Sequence, residues 1–356
     1  MYEFLENIVG NQIIAYFIAA ALPLFLFILP YALIAVLAER KVSAHMQDRL
    51  GPMRVGYHGI LQTIADILKL IQKEDIIPAA ADKKLFVTAP YIIFMSSFAV
   101  FAAIPFSSFF IGASIDVGLF YIIAISGFVV AGILMGSWAS NNKYSLLGGM
   151  RSAAQIISYE IPTAIIVLTM VMLTGSLNLD TITNQQAGLF WNWNIFGGAE
   201  TGITKIILIP LMIAAFIIIF ISMLAEVNRT PFDIAEAESE LVSGFHTEYT
   251  GMRFAMFFLA EYANMLAISL IISSLFLGGY HSPFGYIGNS IGVAWLIPIE
   301  QIFWFTFKGI ILVILQMVLR WTLPRLRVDQ LMTVCWKYLI PYSIAILLIV
   351  GFITVL

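Results

Sequence analysis

The chain has 356 residues, of which 61% are hydrophobic and only 11% are charged, and its formal net charge is −3. Soluble domains carry about 25% charged residues, so this composition excludes a water-soluble monomer and favours a protein embedded in a bilayer. No shift in composition divides the chain, so we expect residues 1–356 to form a single membrane domain.

Apolar stretches long enough to cross a bilayer follow one another along the whole chain. A helix needs about 20 apolar residues to cross a hydrocarbon core about 30 Å thick. The predicted spans are 13–38, 85–108, 115–139, 153–174, 204–225, 252–277, 299–320 and 338–356. The fold class predicted is therefore all-α, a polytopic membrane helix bundle with about eight transmembrane helices and interfacial amphipathic helices.

The two ends of the first span argue against a signal peptide. The span follows Glu3 and Glu6 where a signal peptide has a basic segment, and it is long and lacks a small-residue cleavage site. We expect a helix that is retained.

Basic residues are concentrated in alternate loops. Sixteen of the 18 lysines and arginines lie at or between spans 1 and 2, 3 and 4, 5 and 6, and 7 and 8. By the positive-inside rule these loops, which include residues 39–84 and 226–251, face the cytoplasm. Both termini are then expected on the opposite side.

The first of these loops contains a predicted amphipathic helix, GILQTIADILKLIQKE, at residues 59–74. Its polar residues recur at spacings of four, three and four, and apolar residues fill the other side of the helix. This pattern indicates a helix lying at the membrane interface, either as a surface anchor or beside a lipid-accessible site. The polar stripe consists of Gln62, Asp66, Lys69 and Lys73.

The third basic loop is also strongly acidic. Residues 225–253 read AEVNRTPFDIAEAESELVSGFHTEYTGMR, and with the start of the next span they bring seven carboxylates close together in sequence. Taken alone, this loop is typical of a solvated acidic segment. Charged residues within the predicted spans, however, favour a function for the acidic loop.

Charged residues also lie within the predicted spans. Glu261 is about ten residues into span 6, which at about 1.5 Å per residue places it near the middle of the bilayer. Glu160 lies within span 4, Glu226 closes span 5 and Lys308 is near the middle of span 7. A glutamate this deep must face protein or water. The carboxylates are therefore candidates for a proton path, and interhelical salt bridges are the structural alternative.

The sequence contains no recognisable motif for binding a redox cofactor. The one cysteine, Cys335, excludes an internal disulfide, and it cannot hold an Fe–S cluster or a structural zinc site with four scattered histidines. There is no GxGxxG or Walker A motif, and nothing suggests nucleic-acid binding.

Four long motifs stand out in the sequence and together cover over a third of the chain. They are LAERKVSAHMQDRLGPMRVGYHGILQTIADILKLIQKEDIIP (37–78), NNKYSLLGGMRSAAQIISYEIP (141–162), LAEVNRTPFDIAEAESELVSGFHTEYTGMRFAMFFLAEYANM (224–265) and RWTLPRLRVDQLMTVCWKYLIP (320–341). In content and order these motifs resemble the H subunit of bacterial NADH:quinone oxidoreductase (respiratory complex I), whose mitochondrial equivalent is the first mitochondrially encoded NADH dehydrogenase membrane subunit.

The resemblance implies a location and partners. The protein would lie in the bacterial inner membrane with periplasmic termini, beneath a peripheral arm whose subunits carry FMN and Fe–S clusters. Its other neighbours would be small membrane-arm subunits. Quinone would be the substrate, entering from the bilayer past the first helix, the interfacial helix and the sixth helix, and this chain would bind no cofactor of its own.

The resemblance also implies residue roles. By motif position, the members of a glutamate-rich proton path are Glu160, Glu226, Asp233, Glu236, Glu238, Glu240, Glu248 and Glu261. The positions near the quinone tunnel are Arg40, Arg49 and Phe245.

Three other classes of function remain open from the sequence. A cation-coupled secondary transporter would fit the buried carboxylates, but it would place its substrate residues in paired discontinuous helices, which are not evident. A membrane subunit of an energy-converting hydrogenase-type complex would share the fold without using quinone, and the arginines at the quinone-side positions favour the quinone enzyme. A purely structural anchor would leave Glu160 and Glu261 dispensable.

Overall fold

The computed structural model describes residues 10–11, 14, 18–19, 21–22, 24–198, 200, 202–235, 238–286, 288, 292–293 and 295–355. In these ranges the chain forms helices and loops, and extended backbone pairs only in an isolated antiparallel bridge between Pro105 and Ile111. The all-α fold class is confirmed. The helices are α1 (Leu29–Met46), α2 (Gln62–Gln72), α3 (Lys83–Ala99), α4 (Gly118–Ala139), α5 (Lys143–Thr174), α6 (Leu179–Gln185), α7 (Ile203–Glu226), α8 (Glu238–Leu241), α9 (Gly251–Phe276), α10 (Leu296–Thr322), α11 (Val328–Thr333) and α12 (Ile340–Val355).

Seven helical segments of the described chain are long and apolar enough to cross a membrane, and they correspond to the second to eighth predicted spans. Their bounds are Lys83–Ala103, Gly118–Ala139, Lys143–Thr174, Ile203–Glu226, Gly251–Phe276, Leu296–Thr322 and Val328–Thr354. The first predicted span, 13–38, lies partly outside the described residues; its end is helical, with a π-helical stretch, Leu24–Ile28, leading into α1 at Leu29. That helix continues to Met46, into a segment expected to be loop.

The N-terminal extension of α5 was not expected, because the hydropathy of 143–152 is low. The helix begins ten residues before the predicted span, where the Asn142 side chain accepts a hydrogen bond from the backbone N–H of Tyr144 at 2.9 Å. Two glycines let other segments approach closely. A Cβ on Gly148 would lie 2.8 Å from the Cα of Gly244, and one on Gly149 would lie 1.8 Å from Ser137 Oγ. Close packing of these glycines therefore stabilises the polar first turns of α5, which have too few apolar residues to be predicted as a membrane span.

The last membrane segment is likewise longer than predicted. It begins at Val328, and α11 leads through a π-helical stretch, Val334–Leu339, into α12. The backbone N–H of Arg327 donates to Gln330 Oε1 at 3.2 Å at the start of α11. The buried Tyr159 hydroxyl on α5 donates to the Leu331 carbonyl at 2.9 Å. This contact fixes the polar start of the segment against the bundle.

Helix α9 lies at the centre of the bundle. It packs against α1, α2, α3, α7 and α10. Its apolar window is 67% buried inside the protein, the highest fraction among the seven candidate spans. A charged residue on this helix therefore faces other helices more often than lipid, which bears directly on Glu261.

The predicted amphipathic helix is confirmed as α2, which packs on α1 and α9. Ile64, Leu68 and Ile71 form an exposed apolar side, as expected for a helix in contact with a bilayer. On its polar side Asp66 pairs with Arg40 of α1, with 2.5 Å between Nη1 and Oδ2. The ion pair joins α2 to the end of α1.

Candidate functional site

A cluster of charges lies where α1, α9, α10 and the loop after α7 meet. Its centre is the buried carboxylate of Glu39 on α1. Oxygen Oε1 of Glu39 accepts from Arg229 Nη1 at 2.6 Å and also from Arg320 Nη1 of α10. Oxygen Oε2 accepts from the Tyr262 hydroxyl of α9. One carboxylate thus binds three separate elements, which satisfies its charge in a buried position.

Arg229 connects this cluster to α9. Its Nε lies 2.5 Å from Glu261 Oε1 in an ion pair, and its guanidinium lies over the Tyr262 ring, 4.6 Å from the centroid. Among the described residues its Nη2 has no hydrogen-bond partner. Burial opposes the charge on Arg229, but Glu261 and Glu39 more than offset it and hold its pKa above the usual range.

The loop that carries Arg229 is held in place by α5. Gln155 Nε2 donates to the Ala225 carbonyl at 2.8 Å and to the Phe232 carbonyl at 2.7 Å, on either side of Arg229. Asn228 Nδ2 donates to Ser152 Oγ at 2.9 Å. These bonds fix the ends of a short irregular segment, so the guanidinium enters the cluster at a defined position.

Asp233 extends the cluster toward the chain after α10. Its Oδ2 pairs with Arg325 Nη2 at 3.0 Å, while its Oδ1 has no hydrogen-bond partner among the described residues. Burial raises the pKa of Asp233 above its usual range, although Arg325, Arg320 and Arg229 act in the opposite direction. The carboxylate is thus poorly compensated, and it will respond to changes in nearby charge.

An internal cavity of about 70 Å³ lies between α4, α5, α7 and α9. Glu160 of α5, Glu226 of α7 and Asn264 of α9 line it together with apolar side chains. Thr163 Oγ1 donates to Glu226 Oε1 at 2.7 Å and so orients this carboxylate. Because a cavity of about 10–15 Å³ can hold one water molecule if polar groups line it, this space is large enough for several.

A second cavity, of about 40 Å³, adjoins the first. Glu226 and Asn264 line both, and Glu261, Phe245 and His246 line only the second. Burial lowers the pKa of His246 to about 3. Three carboxylates therefore line the adjoining cavities: Glu160 lines the first, Glu226 both and Glu261 the second, and Glu261 also belongs to the charge cluster.

The other predicted path residues lie elsewhere or cannot be placed. Glu240 pairs with Arg151 of α5 at 2.6 Å, and Glu248 accepts from Asn142 Nδ2 at 2.6 Å. Glu236 lies outside the described residues, and of Glu238 only the backbone, in α8, is described. Of the eight predicted carboxylates, three therefore line the cavities and Asp233 borders the charge cluster.

The three predicted quinone-side residues lie on different elements. Arg40 is paired with Asp66 of α2. Arg49 is exposed, in the turn after α1. Phe245 is buried and packs against Phe257 of α9, with ring centroids 5.8 Å apart. Arg40 thus contacts the amphipathic helix, Arg49 lies in the turn that follows α1, and Phe245 lines the second cavity.

For Lys308 of α10, the sequence could not distinguish a proton-path residue from a salt-bridge residue. In the structure its side chain binds backbone carbonyls. Its Nζ donates to the carbonyls of Leu277, Gly279 and His281 at 2.6, 2.9 and 2.7 Å. It also lies 4.2 Å from the centroid of the Trp193 ring. The ammonium satisfies carbonyls just past the end of α9, where a cation stabilises a helix C-terminus.

Sequence reasoning missed Glu39, Arg229 and Arg320 as site residues. Each lies inside a recognised motif, and Glu39 directly precedes the predicted Arg40. They form one cluster only through contacts between segments far apart in the chain, so the sequence carried no signal that joins them.

Fold and site together define a class: a polytopic helical membrane protein that holds a buried charge cluster and carboxylate-lined cavities within its bundle. Residues 19–351 match the family model described as NADH dehydrogenase. The chain is 54% identical over 331 residues to the H subunit of NADH-quinone oxidoreductase from Chlorobaculum parvum, covering 92% of this chain and 89% of that protein. It is 48% identical over 345 residues to the Geobacillus thermodenitrificans protein of the same name, covering 97% and 96%.

The chain therefore belongs to the NADH dehydrogenase family, and it is a multi-pass membrane subunit of NADH-quinone oxidoreductase. The resemblance found in the sequence is confirmed. The match along almost the whole chain selects this enzyme over the secondary transporter and the hydrogenase-type complex.

Proposed function

We propose that this subunit carries protons between a quinone site and the membrane interior, through Glu261, Glu226 and Glu160 in that order. The observation that carries this proposal is the pair of adjoining cavities with Glu226 in their shared wall. A carboxyl group on each side of a water-sized space can exchange protons through water. The route links α9, α7 and α5 inside the bundle.

The charge cluster offers a physical means of coupling. Reduction of a quinone to a quinol takes up two electrons and two protons, so charge changes at the quinone site during each turnover. Arg229 contacts both Glu39 and Glu261, and charges interact strongly when they are removed from water. A change at the Glu39 end therefore alters the proton affinity of Glu261, which is the entrance to the cavities.

The quinone tunnel itself is proposed to pass beside Arg40, Arg49 and Phe245. Support comes from their positions: Arg40 pairs with Asp66 of the amphipathic helix α2, whose apolar side is exposed, and Arg49 is exposed in the turn after α1. An arginine can donate hydrogen bonds to a quinone carbonyl, and an apolar helix surface admits a hydrophobic substrate from lipid. Neighbouring subunits with FMN and Fe–S clusters would supply the electrons.

The acidic loop is proposed to form the quinone-side end of the proton path. Asp233 lies against the charge cluster, and Glu240 and Glu248 are held by Arg151 and Asn142. With Glu236 and Glu238 these carboxylates would collect protons from the cytoplasm and pass them toward Glu261. The loop and residues 39–84 would both face the cytoplasm, with the termini in the periplasm.

Substituting Glu226→Gln in the intact complex tests the proposal. The amide keeps the shape of the side chain and its contact with Thr163 but cannot titrate, so we expect coupled quinone reduction and proton pumping to fall together by about tenfold to a hundredfold. Glu261→Gln should have the same effect. Electron transfer from NADH to ferricyanide, which bypasses the quinone, should be unchanged.

The control is Asp116→Asn, which neutralises an exposed carboxylate that lines neither cavity. It should leave pumping normal. If assembled Glu226→Gln and Glu261→Gln complexes pump protons at the wild-type ratio per NADH, the carboxylates have only a structural function, as in the anchor hypothesis.

A further inference from the structure

Asn264 lies at the junction of the two cavities, and although it falls within the third motif, neither the resemblance nor the proposed path gives it a function. Among the described residues four line both spaces, and of these Glu226 and Asn264 are the two with polar side chains. Asn264 is three residues after Glu261 on α9, a spacing that puts the two Cβ atoms on one side of the helix about 5–6 Å apart. Its amide therefore faces the gap between the two carboxylates.

The carboxamide of Asn264 has an unsatisfied hydrogen-bonding capacity. Within the described chain it neither donates nor accepts a hydrogen bond, although an amide can donate two and accept two. An amide kept from water without a partner costs free energy, and a protein normally satisfies such groups with protein atoms or ordered water. Since Asn264 lines two spaces of water-holding size, water is the partner that fits.

A water molecule at this junction would have the two to four polar partners that an internal water needs. The Asn264 amide provides one, the Glu226 carboxylate a second, and Glu261 or Glu160 a third. The amide does not titrate near neutral pH, so it keeps its hydrogen bonds while the carboxyl groups gain or lose protons. That combination suits a group that holds water in place.

We propose that Asn264 is a positioning residue that holds the water joining Glu226 to Glu261, an inference that rests on the proton path proposed above. A proton leaving one carboxyl group binds this water as another proton leaves the water for the second carboxylate, so the water is regenerated. The Asn264 carbonyl and amino groups fix the water's orientation for both transfers.

The test compares Asn264→Leu with Asn264→Gln in the assembled complex reconstituted in vesicles. Leucine has a similar size but no hydrogen-bonding group, and glutamine retains the amide. Because Asn264→Leu removes the hydrogen bonds that orient the water, we expect coupled quinone reduction to fall about fivefold to tenfold. The solvent deuterium isotope effect on turnover should rise, and the KM for quinone and the ferricyanide activity should not change. Asn264→Gln should restore most of the turnover.

Ile123→Leu is the matched control, because Ile123 lines the first cavity with an apolar side chain and the change adds no polarity. It should behave as the wild type. Asn264→Ala removes the amide without adding atoms, so it provides the same measurement if Asn264→Leu does not assemble. Normal pumping and a normal isotope effect in an assembled Asn264→Leu or Asn264→Ala complex would overturn the inference, as would equal losses in Asn264→Leu and Asn264→Gln.

The two proposals fail separately. If Glu226→Gln abolishes pumping and Asn264→Leu does not, the proton path stands and the inference about Asn264 is wrong. If Glu226→Gln pumps normally, the path itself is wrong.

Discussion

Arg229 and Glu261 are joined by a contact of 2.5 Å between Nε and Oε1, which ties the loop after α7 to α9, the most buried of the seven described candidate spans. The same guanidinium binds Glu39 of α1 at 2.6 Å. Arg229 is thus shared by two carboxylates, and Arg320 adds the second positive charge. Two anions and two cations balance one another, so the cluster is stable as a set and costly to break singly.

Arg229→Met should destabilise the subunit strongly, because it leaves Glu39 and Glu261 with a single cation between them. Breaking a buried ion pair by removing one partner costs about 3–5 kcal/mol. We expect reduced assembly and a lower midpoint of thermal dissociation, both measurable on purified complex. The double variant Arg229→Met/Glu261→Gln removes one charge of each sign and should recover part of the loss. A double variant no more stable than Arg229→Met would show that the ion pair is not the cause.

The topology predicted from the basic loops can be tested by cysteine labelling. Tyr2→Cys should react with a membrane-impermeant thiol reagent added to whole cells, and Glu240→Cys should react only after the cells are opened, because the rule assigns the basic loops to the cytoplasm. The single native cysteine, Cys335, is buried, so background labelling should be low. Labelling of Glu240→Cys but not Tyr2→Cys in intact cells would reverse the orientation.

Arg49→Ala should weaken quinone reduction while NADH oxidation by an artificial acceptor continues. The reason is that Arg49 is exposed in the turn after α1, where it is available to a quinone or to a neighbouring subunit. We expect a higher KM for quinone, measured on the intact complex with a short-chain quinone. Lys83→Ala, at an exposed basic residue at the start of α3, is the control for loss of positive charge. Equal KM values in wild type and Arg49→Ala would exclude Arg49 from the quinone site.

His246 should make the stability of the subunit fall at acidic pH. Its pKa is lowered from 6.5 to about 3 by burial, so below about pH 6.5 the unfolded chain binds a proton that the folded chain does not. The contribution of neutral His246 to the free energy of unfolding is therefore fully present above about pH 7. It is lost as the pH decreases, by up to about 2 kcal/mol at pH 5. His246→Gln, which does not titrate, should show a smaller decrease in thermal midpoint between pH 7 and pH 5. Identical pH profiles would mean that the imidazole does not contribute.

The sequence determined the helices because their signal is local. Runs of apolar residues specify membrane segments through their own contact with lipid, and the described part of the chain contains seven of the predicted spans. The amphipathic helix α2 was equally readable from its periodicity. Hydropathy failed at the starts of α5 and α11, where polar residues are helical because Gly148, Gly149 and Tyr159 pack them against other segments.

For the candidate site, too, part was readable from the sequence and part depended on the tertiary structure. The sequence by itself determined that Glu160, Glu226 and Glu261 lie in or at the edge of apolar segments, because a carboxylate in such a segment is visible as a break in hydropathy. Only the tertiary structure decided that these three line adjoining cavities, that Arg229 joins Glu39 to Glu261, and that Lys308 binds backbone carbonyls. Which charge meets which partner depends on how the helices rotate and pack, and packing is a property of the whole bundle that no single segment encodes.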